Sequence, residues 1–295
     1  MKTLNRTVVL VCSMLASVAL AANAGLIMRQ TIKTDGNDKS AKGHDGVSTI
    51  SVQGKCMRMD YNETKDPSVK KGDYMVCNDG ESFYMVNTKE KQYMKFNFAM
   101  AGGMMSLMNM KFTDAKHEVI SDEAGPRILG YPTRHIKTTM SYTMEMSILG
   151  MKTKNQILQE QEMWNTTKLD ASAFETWAKN FVAMAGNKDM EDLMKSTSKN
   201  IKGVPLKTIM IMTTTDKNGK KSTSTTITEV SEIKEQSLPA SLFALPADYK
   251  EFDLSKMGTQ AEEGRNTAEE IEDGSSKPAP KIKKPSLSDM LKLLR

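Results

Sequence analysis

From Ile136 to Ile148 the chain alternates with a period of two. Ile136, Met140, Tyr142, Met144, Met146 and Ile148 fall on one parity, and Thr139, Ser141, Thr143, Glu145 and Ser147 on the other. An extended backbone sends successive side chains to opposite faces, so the spacing predicts a long strand with one apolar and one wet face. Antiparallel sheets are the ones that leave a face to water, which makes this strand part of one. Lys152 to Thr166 continues the pattern, with Ile157, Gln159, Gln161 and Met163 on one parity and Gly150 and Met151 at the turn.

Shorter segments repeat the theme. Gly46 to Tyr61 reads as a strand pair or a bulged strand, because Ile50 and Val52 share one parity, Met57, Met59 and Tyr61 take the other, and Gly54 sits at the phase change. Asp73 to Asn78, Ser82 to Asn87 and Gln92 to Phe98 are predicted as short strands joined by turns at Asn78-Asp79-Gly80 and Asn87-Thr88-Lys89. Val204 to Thr215 and Ser222 to Ile233 flank Asp216-Lys217-Asn218-Gly219. There Asn-Gly predicts a type I′ hairpin turn, since both residues tolerate positive φ.

Two stretches break the β pattern. Ala99 to Met110 places Met100, Met104, Met105 and Met108 at helical spacing. Ser172 to Lys199 follows Asp170, which or Ser172 serves as N-cap, and carries Phe174, Trp177, Phe181, Met184, Met190, Leu193 and Met194 as a helical hairpin. The fold class expected is α+β, mostly antiparallel β, with short helices beside a long sheet.

The ends constrain location. Lys2 and Arg6 precede an apolar run from Val8 to Ala21, and Ala22-Asn23-Ala24 offers a small-x-small cleavage pattern before Gly25. The run is too short to span a bilayer. Residues 1–24 therefore read as a cleavable signal, and the mature chain as periplasmic or secreted. Cys12 lies inside that signal behind Val11, which does not suit lipid attachment. Cys56 and Cys77 remain, an even pair in an oxidising compartment, and both fall in strand-like segments. A disulfide between neighbouring strands is expected, worth about 3 kcal/mol in the chain-entropy account. From Ser255 an acidic block, Glu262 to Asp273, gives way to Gly274-Ser275-Ser276 and a basic Pro-rich stretch, Lys277 to Pro285. Residues 255–295 read as a flexible tail that builds no core. Its last ten residues, with Leu287, Met290, Leu291, Leu293 and Leu294, form either a frayed end or a docking peptide for an envelope partner or a membrane surface.

Formal charge is +5 and falls to +3 once Lys2 and Arg6 leave with the signal. No basic stripe with interleaved aromatics occurs, so nucleic acid is not an expected partner. No catalytic signature is present: no G-x-S-x-G elbow, no H-E-x-x-H, no dinucleotide glycine pattern. His44, His117 and His135 are isolated, so the chain is expected to be no enzyme and to need no cofactor. Asn62-Glu63-Thr64 and Asn165-Thr166-Thr167 match glycosylation acceptors.

Methionine is the chemical oddity, with 25 residues, of which Met1 and Met14 leave with the signal. Two readings compete. Thioethers are soft ligands for Cu(I), and Met100, Met104 and Met108 would stack on one helical face. Methionine is also flexible and polarizable, suited to surfaces that accept apolar ligands of varied shape. The strand and helix periodicity accounts for the positions without a metal.

Several segments resemble one exported bacterial family of unknown function. Gly130-Tyr131-Pro132-Thr133-Arg134-His135 before a long strand is similar to its Gly-Tyr step. Gly203-Val204-Pro205-Leu206-Lys207 resembles its Gly-hydrophobic-Pro-hydrophobic-Lys step. Leu238-Pro239-Ala240-Ser241-Leu242-Phe243-Ala244-Leu245-Pro246-Ala247-Asp248-Tyr249 resembles its closing stretch, and Met85 to Tyr93 its early hairpin. That family is similar to the LolA/LolB group of periplasmic carriers. The resemblance covers about residues 26–254 and implies a single domain over 25–254, a curved sheet forming an incomplete barrel with helices as a lid. It implies an apolar ligand, lipid or acyl chain, and no catalytic residue. On this expectation Met140, Tyr142, Met144, Met146, Ile148, Met210 and Met212 line the cavity. The alternatives are a Cu(I)-binding envelope protein and a structural or interaction module without ligand.

Overall fold

The computed structural model describes residues 25–37, 44–66, 68–79, 82–97, 110–148, 151–182, 188–198 and 202–252. The segments expected to be a signal (1–24), a flexible tail (255–295) and a helix over 99–110, with Met100, Met104 and Met108, lie outside the described residues except for Met110.

In chain order the elements are β1 (Gly25–Gly36), β2 (Gly46–Gln53), β3 (Cys56–Thr64), β4 (Tyr74–Cys77), β5 (Ser82–Asn87), β6 (Gln92–Asn97), β7 (Lys111–Ile128), β8 (Tyr131–Ile148), β9 (Met151–Thr166), α1 (Ser172–Val182), α2 (Lys188–Ser198), β10 (Val204–Asp216), β11 (Lys221–Gln236) and β12 (Lys250–Glu251). All strands join one sheet in the order β12-β6-β5-β4-β3-β2-β1-β11-β10-β9-β8-β7. Every neighbouring pair is antiparallel except β12 on β6. The sheet is open, with β7 and β12 as its edges, so it is an incomplete barrel. β1 lies in the middle and stitches the early meander to the late one.

A flat sheet would hold β8 and β11 apart by three strand spacings, roughly 14 Å. Instead the Tyr131 hydroxyl at the start of β8 donates to Glu235 at the end of β11 over 3.1 Å. The sheet therefore rolls toward the face on which Tyr131 and Ile128 pack against Leu26, Met28, Val204 and Val230. That face is concave. Its central core adds Ile50, Val52 and Leu206 and is capped by Leu169 and Ala173, where α1 begins. Phe112, Met190 and Leu193 form a second cluster that seats α2 on β7 and β8.

The convex side has a core of its own. Tyr74, Val76 and Val86 are covered by Leu238 and Phe243 from the segment after β11. Arg58 pins this strap. Its guanidinium stacks 3.7 Å from the Tyr74 ring centroid, donates to the Leu242 carbonyl at 3.0 Å and forks onto Asp60. Planar, multidentate contact of this kind is what arginine supplies and lysine does not.

Of the two readings of Gly46 to Tyr61 the strand pair holds: Gly54, with φ +58°, is half of a two-residue turn joining β2 and β3, and Gln53 and Cys56 pair directly across it. Two other expectations need correction. The β10–β11 turn is not type I′, because only Gly219 has positive φ, at +80°. The Asp216 carboxylate accepts from the amides of Asn218 and Lys220 instead, which spares Asn218 the left-handed conformation. Cys56 and Cys77 stand as separate thiols rather than a disulfide. The residue opposite Cys77 is Met57, so Cys56, one position away, points to the other face of the sheet.

β1 and β7 carry no clear alternation in the sequence, and neither was expected. β7 is the longest edge, 18 residues, and holds Lys116, Glu118, Asp122 and Glu123 together with three register shifts against β8. Charges and bulges are how exposed edges avoid pairing with other chains, and they erase the period-2 pattern.

Candidate functional site

Residues directly opposite one another on paired strands share a face. Tracing register from the concave core outward, Val230 and Thr228 lie on one parity of β11, Thr228 faces Thr208, and Thr208 faces Met163, which faces Ile136. The parity of Thr208 includes Met210 and Met212, and that of Ile136 includes Met140, Tyr142, Met144 and Met146. One row across β10, β9, β8 and β7 reads Met212, Gln159, Met140, His117, and the next reads Met210, Gln161, Thr138, Val119. The structure thus brings six of the expected cavity residues to the concave face. Ile148, the seventh, closes β8 opposite Met151.

α2 roofs the outer part of this surface. Met140, Tyr142 and Met144 are half-buried against Met190 and Leu193, and Tyr142 meets Phe112 edge-to-face at 5.8 Å. Burial pushes the Tyr142 phenol up from its ordinary pKa. His117 sits beneath the same helix. Its Nδ1 lies 3.0 Å from the Ser196 hydroxyl of α2, and Nε2 is buried without a hydrogen-bond partner. Desolvation pushes its pKa down, so the ring is held neutral. Among the described residues the helical cover is α2 alone at this end, and Met212 is 37% exposed.

The other wing of the concave face was not anticipated. One row reads Met28, Ile50, Met59, Met75, Met85, Met94 across six consecutive strands, β1 to β6. Val52, Met57 and Cys77 form the row beside it. The convex face of β4 to β6 is also apolar, but it uses Tyr74, Val76, Tyr84, Val86 and Tyr93. Each strand's sequence shows its own methionine parity. Only the pairing register shows that the parities coincide.

Other features lie elsewhere. A groove of about 500 Å³ opens where β9 leads into α1, between Thr167, Asp170, Glu175, Lys202 and Gly203, and contains none of the expected residues. On the opposite face to the methionines, His135 stacks on Trp164 at 4.3 Å and lies 2.8 Å from Glu162. Burial raises the Glu162 carboxyl, but hydrogen bonds from His135 and Lys137 outweigh it and the net shift is downward. This is a cross-strand ladder in which Glu162 pairs with both His135 and Lys137. Among the described residues no three His, Cys, Asp or Glu side chains converge as metal ligands. Asn165, in one of the acceptor sequences, is 2% exposed and closed to glycosylation in the folded chain, while Asn62 accepts from the Thr49 hydroxyl at 2.7 Å.

A rolled, open antiparallel sheet whose concave face is apolar and partly roofed by helices defines the class: a half-barrel built around its inner surface. The chain belongs to the family described as Domain of unknown function (DUF4412), whose profile matches residues 38–249. No curated protein matches the chain.

Proposed function

We propose that this half-barrel holds an apolar chain, a lipid or acyl group, on the concave surface of β8, β9 and β10, in the manner of the LolA/LolB group it resembles. One observation carries the reading. The register gathers Met140, Tyr142, Met144, Met146, Met210 and Met212 on one concave face and leaves Met212 37% exposed. A surface meant only to be core would be filled to native density. Thioether side chains adapt to guests of different length. A guest losing roughly 300 Å² of apolar surface to this face would gain about 7 kcal/mol before the cost of immobilising it.

The reading places the protein in the periplasm or outside the cell, with no reaction of its own and with the tail from residue 255 as its contact with an envelope partner. Lipid mass spectrometry of organic extracts from the full-length exported protein is the test, followed by titration of the stripped protein with a fluorescent C18 fatty acid. Co-purified lipid or saturable binding that weakens at least tenfold in Met212→Glu is expected. No lipid in the extract together with no saturable titration overturns the proposal.

A further inference from the structure

We infer that the β3–β4 pair carries a soft-metal site, built from Met57, Met59, Met75 and Cys77 with Met85 beside it, that takes Cu(I) through sulfur alone. Met57 is directly opposite Cys77 and Met59 directly opposite Met75. Four sulfur side chains therefore stand at the corners of one patch on one face. Opposite corners across the strands have Cβ atoms roughly 5 Å apart. Successive corners along a strand are about 6.6 Å apart. Methionine has three rotatable side-chain bonds, enough for the sulfurs to converge on one ion from these positions. Met85 extends the row from β5, opposite Met75.

Hydrophobic burial alone does not select this composition. The other face of the same strands is buried as Tyr74, Val76 and Val86, without a methionine. Cys56 is the one sulfur of β3 and β4 on that other face; the methionines are confined to the concave side, where Met57, Met59, Met75 and Met85 are half-buried and Cys77 is 9% exposed. A half-buried all-sulfur set favours a soft monovalent ion over the harder oxidised one, and thioether with thiolate is the ligand pairing that selects Cu(I). Binding releases the thiol proton: Cys-SH and Cu(I) give Cys-S-Cu(I) and a proton, with no electron transferred. The site lies across the central core from Met140 and Met212, so it stands apart from the proposed apolar-ligand surface.

The experiment is anaerobic titration of the full-length protein with Cu(I) in competition with a bidentate Cu(I) chelator. X-ray absorption of the loaded protein then reads its ligands. Expected are one tightly held equivalent and a shell of sulfur only. Met59→Leu with Met75→Leu should weaken Cu(I) at least a hundredfold, and Cys77→Ala likewise, while Met140→Leu with Met212→Leu leaves it unchanged. Methionine-to-leucine changes conserve volume, so the metal-free variants should keep their circular dichroism and melting temperature. The inference is overturned if wild type fails to compete, if nitrogen or oxygen ligands dominate the shell, or if the Met59/Met75 variant binds as wild type does. It is also overturned if loss follows Met100→Leu, Met104→Leu and Met108→Leu instead. Fatty-acid binding reads out separately, so either proposal can fail alone.

Discussion

Leu193→Ala should loosen α2 and leave the sheet standing. Leu193 is 4% exposed and packs with Phe112 and Met190 over the half-buried Met140, Tyr142 and Met144. Truncating a leucine this buried costs about 2–5 kcal/mol, part transfer and part cavity. α2 has 11 residues, too few to hold helical structure without tertiary support. Its described contacts run to β7 and α1 rather than to the central strands. The loss should therefore fall on docking of the helix. At about 2.8 kcal/mol the ratio of docked to undocked helix changes roughly a hundredfold, since 1.4 kcal/mol is a factor of ten. Alanine is the best helix former, so intrinsic propensity moves the other way and cannot supply the effect. Amide hydrogen exchange resolves this residue by residue. Amides of 188–198 should exchange 30- to 100-fold faster, with those of β1, β2 and β11 nearly unchanged. Equal acceleration in both sets would mean that α2 is integral to the core and not a separable cover. No acceleration would mean that the contacts with Phe112 and Met140 contribute nothing, and either result refutes the reasoning.

Three further outcomes follow from other parts of the molecule. Gly203 has φ +83°, and a Cβ there would lie 2.3 Å from the Thr166 carbonyl oxygen, whereas Gly219 at φ +80° has open space around it. Gly219→Ala should cost about 1–2 kcal/mol from backbone strain alone, and Gly203→Ala clearly more, as a difference in urea midpoints at equal slope. Arg58→Lys should cost about 2 kcal/mol, because the stacked contact with Tyr74 and the bond to Leu242 both need the guanidinium plane; differential scanning calorimetry checks it, and an unchanged melting temperature would refute it. Burial depresses the pKa of His117, so the unfolded chain takes up a proton below about pH 6.5 that the folded chain resists. Stability should then fall as pH drops below 6.5, by no more than about 1.4 kcal/mol per pH unit from this group, until the lower folded-state pKa is reached. His117→Gln should flatten that part of the profile relative to wild type. His44 and His135 are common to both proteins, so the difference isolates His117.

How much was legible depends on where a strand sits. β8 and β9 showed their alternation because one face is wet and the other is not, and the hairpin of α1 and α2 showed its caps and apolar spacing. The same logic put Met140, Tyr142, Met144, Met146, Met210 and Met212 on core-facing parities. β7 stayed hidden because an edge strand defends itself with charge and bulges, and these destroy the period that announces a strand. The disulfide expected between Cys56 and Cys77 is not formed for a related reason. Parity within β3 and β4 is plain in each strand, but which residues oppose one another is set by the turn between them, and a shift of one residue moves a side chain to the other face.

The sequence by itself determined the local chemistry: extended segments, apolar parities, helix ends and the abundance of methionine, all consequences of backbone geometry and side-chain type over a few residues. The tertiary structure decided everything that depends on register and curvature. It set the order of strands around β1, chose the side toward which the sheet rolls, and aligned Met28, Met59, Met75, Met85 and Met94 in a single row. Those are relations between residues far apart in the chain, fixed by hydrogen-bond pairing and by packing of the central core, and no window of neighbouring residues contains them.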